Sequence, residues 1–516
     1  MNVIFSTQGS NLKFFLDILQ LMPDAFEHAG FYTSHARSFQ AISKQFPLLR
    51  FAPVLKEWEI VDIARKNPAP VSNGDFIREA AIADRRLTFG WKCTYTDDQN
   101  PRFDDRFIQS IIGTAQEEIE LFWEKLKPDL LVGFVPVTFG EYLLFKQAEK
   151  MGVPVLILRA VRLENYQALH DKLLGLSDHF SALYKGGNFD AETMAKGRSI
   201  LEIIQRQGLV YEGTLKRKEK SFNFEKAKKN SLRFIKEAVY AAKVEIENLF
   251  NPVFRNDHHD PSGIVMWFYV WFRTPLRGMI QNRKLKKHPK FADSLDKFAA
   301  PFAFFPLHFE PEVALQVYAQ NYVKKQLSLI RQIAASLPAG MSLVVKDHPR
   351  AAGYRHYAFY DELLNIPNVA LADATLPAAR IIQKADLITI ISGTIGLEAA
   401  LCGKPVITFG HTEYAALPDH MVHFCDNPLD LPRFIQNHLQ HYHYDEQACV
   451  NYIAALIKGS VRMDYYSLML KKPGRNNFVR EDHETARLAQ LADFTTYFRE
   501  RIGQVQGEKS KAAKAK

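Results

Sequence analysis

A chain of 516 residues outgrows a single hydrophobic core and implies two domains with extensions. Its 47% hydrophobic, 24% charged and 12% aromatic content excludes a disordered or fibrous class. The net charge of +9 gathers in residues 216–229, 273–290 and 509–516, patches that suit anionic lipid, acidic polysaccharide or nucleic acid and equally describe solvated faces.

The opening, Met-Asn-Val-Ile-Phe-Ser, lacks the basic start and apolar run of a signal peptide. The longest aromatic-rich apolar run, 264–272, covers nine residues, against about 20 for a spanning helix. The expectation is a cytoplasmic protein that does not cross a bilayer. Cys93, Cys402, Cys425 and Cys449 form no CxxC pair, which suits a reducing compartment and packing roles and speaks against zinc or a disulfide framework.

In chain order, residues 3–6 read as a strand, Thr7-Gln8-Gly9-Ser10 as a loop, and the next stretch as a helix with Leu12, Phe15, Leu16 and Leu19 on one face. Strands are predicted at 49–54, 130–134 and 155–158, with a helix over 141–150 between the last two, as in a parallel crossover. Residues 202–298 turn to long Lys-rich helical segments. Alternation resumes with strands at 302–307, 343–346, 369–371, 387–391 and 406–409, separated by helices at 313–336, 357–364, 377–384 and 395–402. Beyond Leu431 the chain reads as helical, and Leu488, Leu491, Thr495, Phe498 and Ile502 form one face of a last helix.

The predicted fold is α/β, with two Rossmann-like domains facing across a cleft. The N-terminal domain takes residues 1–200, a helical basic and aromatic linker or insertion 201–299, and the C-terminal domain 300–430. Helices packing on the domains occupy 431–507, and 508–516 is a basic disordered tail. Ligands of such sheets bind beyond the carboxyl ends of the strands, so the chemistry belongs in the loops that follow them.

The sharpest such loop starts at Ser392-Gly393-Thr394, where a buried strand runs into a small polar turn and a short helix; Gly403 sits at the C-cap and Pro405 opens the next strand. Small residues let a ligand approach the backbone. The amides and positive end of the helix then suit a diphosphate or phosphodiester, with the Ser392 and Thr394 hydroxyls as further donors. Glu398, one turn in, is placed to accept from ribose or sugar hydroxyls. The other reading leaves Ser392 and Thr394 as helix caps and Glu398 facing solvent.

This segment, S-G-T-x-G-x-E-A-x-x-x-G-K-P-V-I over 392–407, resembles the donor-binding loop of GT-B glycosyltransferases, and more closely the capsular polysaccharide biosynthesis family that includes the Kdo transferases of capsule and lipopolysaccharide assembly. Lys346-Asp347-His348-Pro349-Arg350 resembles that family's His-Pro motif, seen also in bacterial sialyltransferases, and Phe305-Pro306-Leu307-His308-Phe309-Glu310-Pro311-Glu312 resembles the loop after the donor domain's first strand. The resemblance covers residues 302–410 well and the N-terminal half loosely.

The resemblance implies a GT-B, metal-independent glycosyltransferase without a cofactor that uses a nucleotide-sugar donor. A CMP-linked acid such as CMP-Kdo ranks first as donor and UDP-sugars second. The acceptor is a capsular or other surface glycan, free or lipid-linked. Donor contacts fall on His308, Lys346, His348, Arg350, Ser392, Gly393, Thr394 and Glu398; in chemical terms His348, Lys346 and Arg350 offer donors and charge to a leaving phosphate. His308 is preferred over Glu310, whose carboxylate repels phosphate, and Glu312 reads equally as a first-turn helix acid.

For the base that takes the acceptor proton the candidates are Glu141 and Asp75, ahead of Asp84 and His35. Glu141 stands at a helix start and reads equally as a cap acid. No Asp-x-Asp motif follows a strand, Asp104-Asp105 is a lone pair, and His438, His441 and His443 read as surface residues, so no metal site is expected. The run 266–273 has the make-up of an interfacial anchor on the inner membrane surface or of a buried helix. Two alternatives stay open: a nucleotide-sugar epimerase or hydrolase of the same fold, and a non-catalytic capsule assembly or export protein. Nucleic-acid binding is not expected, because no recognition module surrounds the basic patches.

Overall fold

Val3, Ile4 and Phe5 are fully buried, and so are Phe302 to Phe305; runs apolar on both faces belong in sheets covered on both sides. The computed structural model describes residues 1–9, 11–67, 105–212, 224–257, 263–298, 301–310, 312–470 and 483–514. Within these the chain builds two seven-stranded sheets.

In the first, β1 (Asn2–Thr7), β2 (His28–Thr33), β3 (Val54–Lys56), β4 (Leu130–Phe134) and β5 (Val155–Ala160) run parallel in the order 5-4-1-2-3, and β6 (Tyr166–His170) pairs antiparallel with β5. The strand expected at 49–54 starts later. Pro47 opens a 3-10 turn over Pro47–Arg50 and Pro53, lacking an N–H, precedes the three residues of β3.

The second sheet holds β7 (Phe291–Ala292), β8 (Phe302–Pro306), β9 (Ser342–Lys346), β10 (Val369–Ala372), β11 (Leu387–Ile390), β12 (Val406–Thr408) and β13 (Val422–Phe424), all parallel. Its order, 13-12-11-8-9-10-7, is the dinucleotide-fold order 3-2-1-4-5-6 counted from β8, with β7 added at one edge. Two Rossmann-like sheets joined by a helical insertion make this an α/β fold of GT-B type, as the sequence predicted.

The chain crosses between the halves twice. Outbound, residues 208–212 follow the helix Ala191–Gln207, whose Ile200, Leu201 and Ile204 are buried in one cluster with Phe304 and Leu401 of the C-terminal half. Inbound, the helix Glu446–Lys458 packs on Ala191–Gln207, where Gly197 lets the Val450 carbonyl approach. β14 (Val461–Arg462) then joins β6 antiparallel, and the helix His483–Lys514 lays Phe494 against Phe14 at 5.2 Å between ring centroids. Buried Glu212 binds the two crossings together, accepting the Tyr466 and Ser467 amides at 3.1 and 2.8 Å. The tail read as disordered from 508 is helical as far as Lys514, in keeping with the helix propensity of its Ala and Lys residues.

Between the crossings lies the insertion, a long helix Phe224–Phe250, a short one Pro252–Asn256, and a second helical run Ile264–Phe268 and Thr274–Leu285 joined by a π-turn. No helix among the described residues is long and apolar enough to cross a membrane.

Candidate functional site

In a 3-2-1-4-5-6 sheet the order reverses between β8 and β11, and the crevice beyond their carboxyl ends is where ligands settle. His308 follows the first of these strands and Ser392-Gly393-Thr394 the second. The structure brings them together. His308 is 8% exposed; its Nε2 accepts the Ser392 N–H at 3.3 Å, and its Nδ1 stands 3.2 Å from Glu312 Oε2. A ring nitrogen that accepts from an amide carries no proton, so these bonds assign the proton to Nδ1, which donates to Glu312. Desolvation pushes the Glu312 carboxyl up, but the hydrogen bond from His308, with the Arg162 charge nearby, outweighs it and holds the group below its ordinary range.

Gly393 has φ +108° and ψ 178°, a conformation essentially reserved for glycine, and a Cβ there would stand 3.4 Å from the His308 ring. It is the N-cap of the helix Thr394–Leu401 and has no side chain to cap it. The first amides of the helix and its positive end are therefore open to an anion. Two residues of the motif do other work. Ser392 is buried and its hydroxyl donates to the Ala314 carbonyl at 3.3 Å, while Gly396 makes room for Tyr414, whose Oη would lie 2.3 Å from a Cβ.

At the end of β9, Lys346 is 6% exposed and its Nζ donates to the Asp347 carbonyl at 3.3 Å. His348 is exposed, with its ring 6.1 Å from Phe309. Arg350 lies in the 3-10 turn Pro349–Ala351, and its side chain is outside the described residues. The organising residue, not singled out from the sequence, is Asp347. Its buried carboxylate accepts from Arg355 Nε at 2.9 Å, from the Tyr360 hydroxyl at 2.7 Å and from the His348 N–H at 2.7 Å. Arg355 also donates to the His308 carbonyl, and Gln326 Oε1 takes the His308 N–H at 2.8 Å. The loops after β8 and β9 are thus one hydrogen-bonded unit. The available signal was an acid between two cations at a strand end.

Glu398 lies away from the role expected for it. Its carboxylate faces the outbound crossing, where a Cβ on Gly208 would stand 2.8 Å from Oε1 and the Leu209 N–H donates to it. Burial raises its pKa to about 7.

In the N-terminal half, Glu141 is fully buried in a capping box with Thr138, and its Oε2 accepts the Val137 and Thr138 amides at 3.0 Å each. Its cap reading is what the geometry shows. Beside it, buried Glu57 accepts the Thr138 hydroxyl at 2.9 Å. Asp75 and Asp84 lie outside the described residues; His35 Nδ1 pairs with Ser34 Oγ at 3.0 Å. His441 and His443 are exposed, but His438 is buried rather than on the surface, and burial lowers its pKa to about 4.

Two cations that the sequence reading missed reach across from the end of β5. Arg159 pairs with Glu413 at 2.9 Å, joining the halves. His170 Nδ1 lies 3.7 Å from the same carboxylate, and burial drops the pKa of this histidine to about 4. Arg162 adopts a left-handed backbone, φ +67°, rare for a bulky residue. Its guanidinium sits 5.7 Å over the Tyr211 ring and within the field of Glu413 and Glu312; burial opposes its charge, but these partners prevail and raise its pKa.

Residues 206–417, which span the outbound crossing, the insertion and all three strand-end loops, match the family model described as capsule polysaccharide biosynthesis protein. No curated protein shows significant similarity to the chain. Among solved structures it is similar to KpsC of Thermosulfurimonas dismutans, a β-Kdo 2,7 transferase, at 14% identity over 62% of this chain and 79% of that one, with a TM-score of 0.31. It is also similar to the UDP-GlcNAc 2-epimerase of Neisseria meningitidis bound to UDP-GlcNAc (14% identity, 88% and 97% coverage, TM-score 0.25) and to the spinosyn rhamnosyltransferase SpnG with spinosyn aglycone (11%, 92% and 100%, 0.27). The matched region contains His308, Lys346 to Arg350 and Ser392 to Glu398.

Proposed function

We propose that the protein is a glycosyltransferase of capsule or other surface polysaccharide synthesis that takes a nucleotide-sugar donor at the β8/β11 crevice. The observation that carries this reading is the contact between His308 and the Ser392-Gly393 turn at the mouth of an uncapped helix. There the donor phosphate meets the Gly393 and Thr394 amides and the Thr394 hydroxyl, with His308, Lys346, His348 and Arg350 around it.

In the transfer, an acceptor hydroxyl oxygen bonds to the anomeric carbon as the bond from that carbon to the phosphate oxygen breaks. The nucleotide leaves with the electron pair, and helix amides and cations stabilise its charge. The acceptor proton goes to a base on the N-terminal side. Glu141 is occupied in its cap, so we carry Asp75 forward for that step. Arg162, opposite, is suited to a second anionic group, such as the carboxylate of a CMP-linked sugar acid, the donor we place ahead of UDP-sugars.

A thermal-shift panel of CMP, UDP, GDP and their sugars tests the reading. A ligand at 100 times its Kd should add about 2.7 kcal/mol of stability, CMP compounds should shift most, and the ligand that shifts should donate its sugar to a glycan acceptor. Nucleotide release of equal rate without any acceptor would instead identify an epimerase or hydrolase, and no shift with any nucleotide would overturn the proposal.

A further inference from the structure

The insertion exposes apolar surface out of proportion to the rest of the molecule. Of the 25 large hydrophobic residues exposed among the described residues, fourteen fall between 232 and 280. On the helix Phe224–Phe250 they form a stripe at three-, four- and seven-residue steps, Leu232, Ile235, Val239, Ile246 and Leu249, about 25 Å long at the helical rise. The second helical run repeats the pattern with Val265, Phe268, Phe272, Leu276 and Met279. Its core lies on the other side, where Phe234 packs against Trp267 and Trp271 at 4.7 and 5.3 Å.

Charge says what such a surface fits. The described residues from 232 to 287 include ten Lys or Arg and four acids, and three of the acids are engaged by partners within the protein. Glu237 accepts from Trp271 Nε1, Glu247 pairs with Arg37, and Asp257 accepts the Ala36 N–H. Lys236, Lys243, Arg283, Lys284, Lys286 and Lys287 are exposed along the stripes or at their end. Two copies meeting through this face would set like charges against each other. A bilayer of anionic lipid satisfies both the apolar stripes and the cations.

We propose that the paired helical segments 232–250 and 264–287 form an amphipathic platform that lies in the interface of an anionic membrane. It stands independently of the transferase reading, and it reaches the same site. At its far end the platform is tied to the N-terminal half through Arg37 and Asp62. At its base, Gly278 and Gly353 let the helix Thr274–Leu285 press on residues 351–355, and Gln281 Nε2 donates to the carbonyl of Arg355, the residue that holds His308. Docking thus sets the crevice beside the lipid surface.

The test is co-sedimentation of the full chain with vesicles of phosphatidylcholine alone or with a third phosphatidylglycerol. Binding is expected only to the anionic vesicles and should weaken as salt rises. The double substitution Val239→Glu and Phe268→Glu should weaken it more than tenfold, as should Arg283→Glu with Lys284→Glu, while both variants keep the wild-type melting temperature and nucleotide shift. Equal binding to neutral vesicles, no binding at all, or a salt-stable dimer in light scattering that the Val239 and Phe268 substitutions dissociate would overturn the proposal.

Discussion

Replacing Gly393 by alanine isolates the geometry on which the site depends. At φ +108° and ψ 178° an L-residue is strained by about 1–3 kcal/mol. Space is not the obstacle, since the added Cβ meets the His308 ring at 3.4 Å, an ordinary van der Waals distance. The chain can therefore either hold the strained turn and lose that much stability, or rotate the turn and lose the Ser392 N–H to His308 Nε2 together with the aim of the helix amides. The second outcome converts the same 1–3 kcal/mol into a loss of roughly five- to 150-fold in nucleotide affinity. Calorimetric titration of the bound nucleotide, beside a thermal melt, reads both quantities. Gly396→Ala is the control, because its Cβ falls 2.3 Å from the buried Tyr414 hydroxyl and should cost about 1–3 kcal/mol of stability by overpacking. Gly393→Ala with wild-type affinity and wild-type melting would refute the reasoning.

Asp347→Ala removes one partner of a buried ion pair and three hydrogen bonds, so urea unfolding should show a loss of about 3–5 kcal/mol and nucleotide binding should fall as the His308 loop loosens. Glu398 titrates near 7 in the folded state, above its ordinary 4.5, so folding favours its neutral form. That contribution is complete below about pH 4.5 and is lost as pH rises through about 7; Glu398→Gln should unfold like the wild type at pH 4 and be more stable at pH 8, by roughly 3 kcal/mol at most. Arg162→Ala should weaken donor binding by about ten- to 150-fold if its guanidinium holds an anion. Arg162→Gly should weaken it equally while relieving the left-handed strain, which a higher melting temperature than that of Arg162→Ala would register.

Much of the architecture was visible in the residues because buried parallel strands are short apolar runs, and the C-terminal half alternates them regularly with helices. The crevice was visible too. Its strand ends are followed by small or polar residues that a core does not need, hence His308 and Ser392-Gly393-Thr394. What escaped detection depends on partners distant in sequence. Glu398 sits one turn inside the right helix, but only the folded chain brings Gly208 and Leu209 against it. Asp347 was hidden between the two cations that attract notice, and Arg162 declares itself through a backbone angle that sequence does not carry. For Glu141, a cap and a base look alike in sequence, and the reciprocal bonds with Thr138 settle the first. The insertion read as either anchor or buried helix because composition does not say which stripe faces a neighbour. The structure divides it, with Trp267 and Trp271 packed on Phe234, Phe268 exposed and Phe272 at the edge between them.

A crystal structure of the protein soaked with the nucleotide that shifts its melting most tests the central claim directly. The account predicts a phosphate oxygen about 2.7–3.2 Å from the Gly393 or Thr394 N–H, with the His308 ring beside it. A nucleotide whose phosphate lies elsewhere, such as beyond β1 and β4 in the N-terminal half, would contradict it.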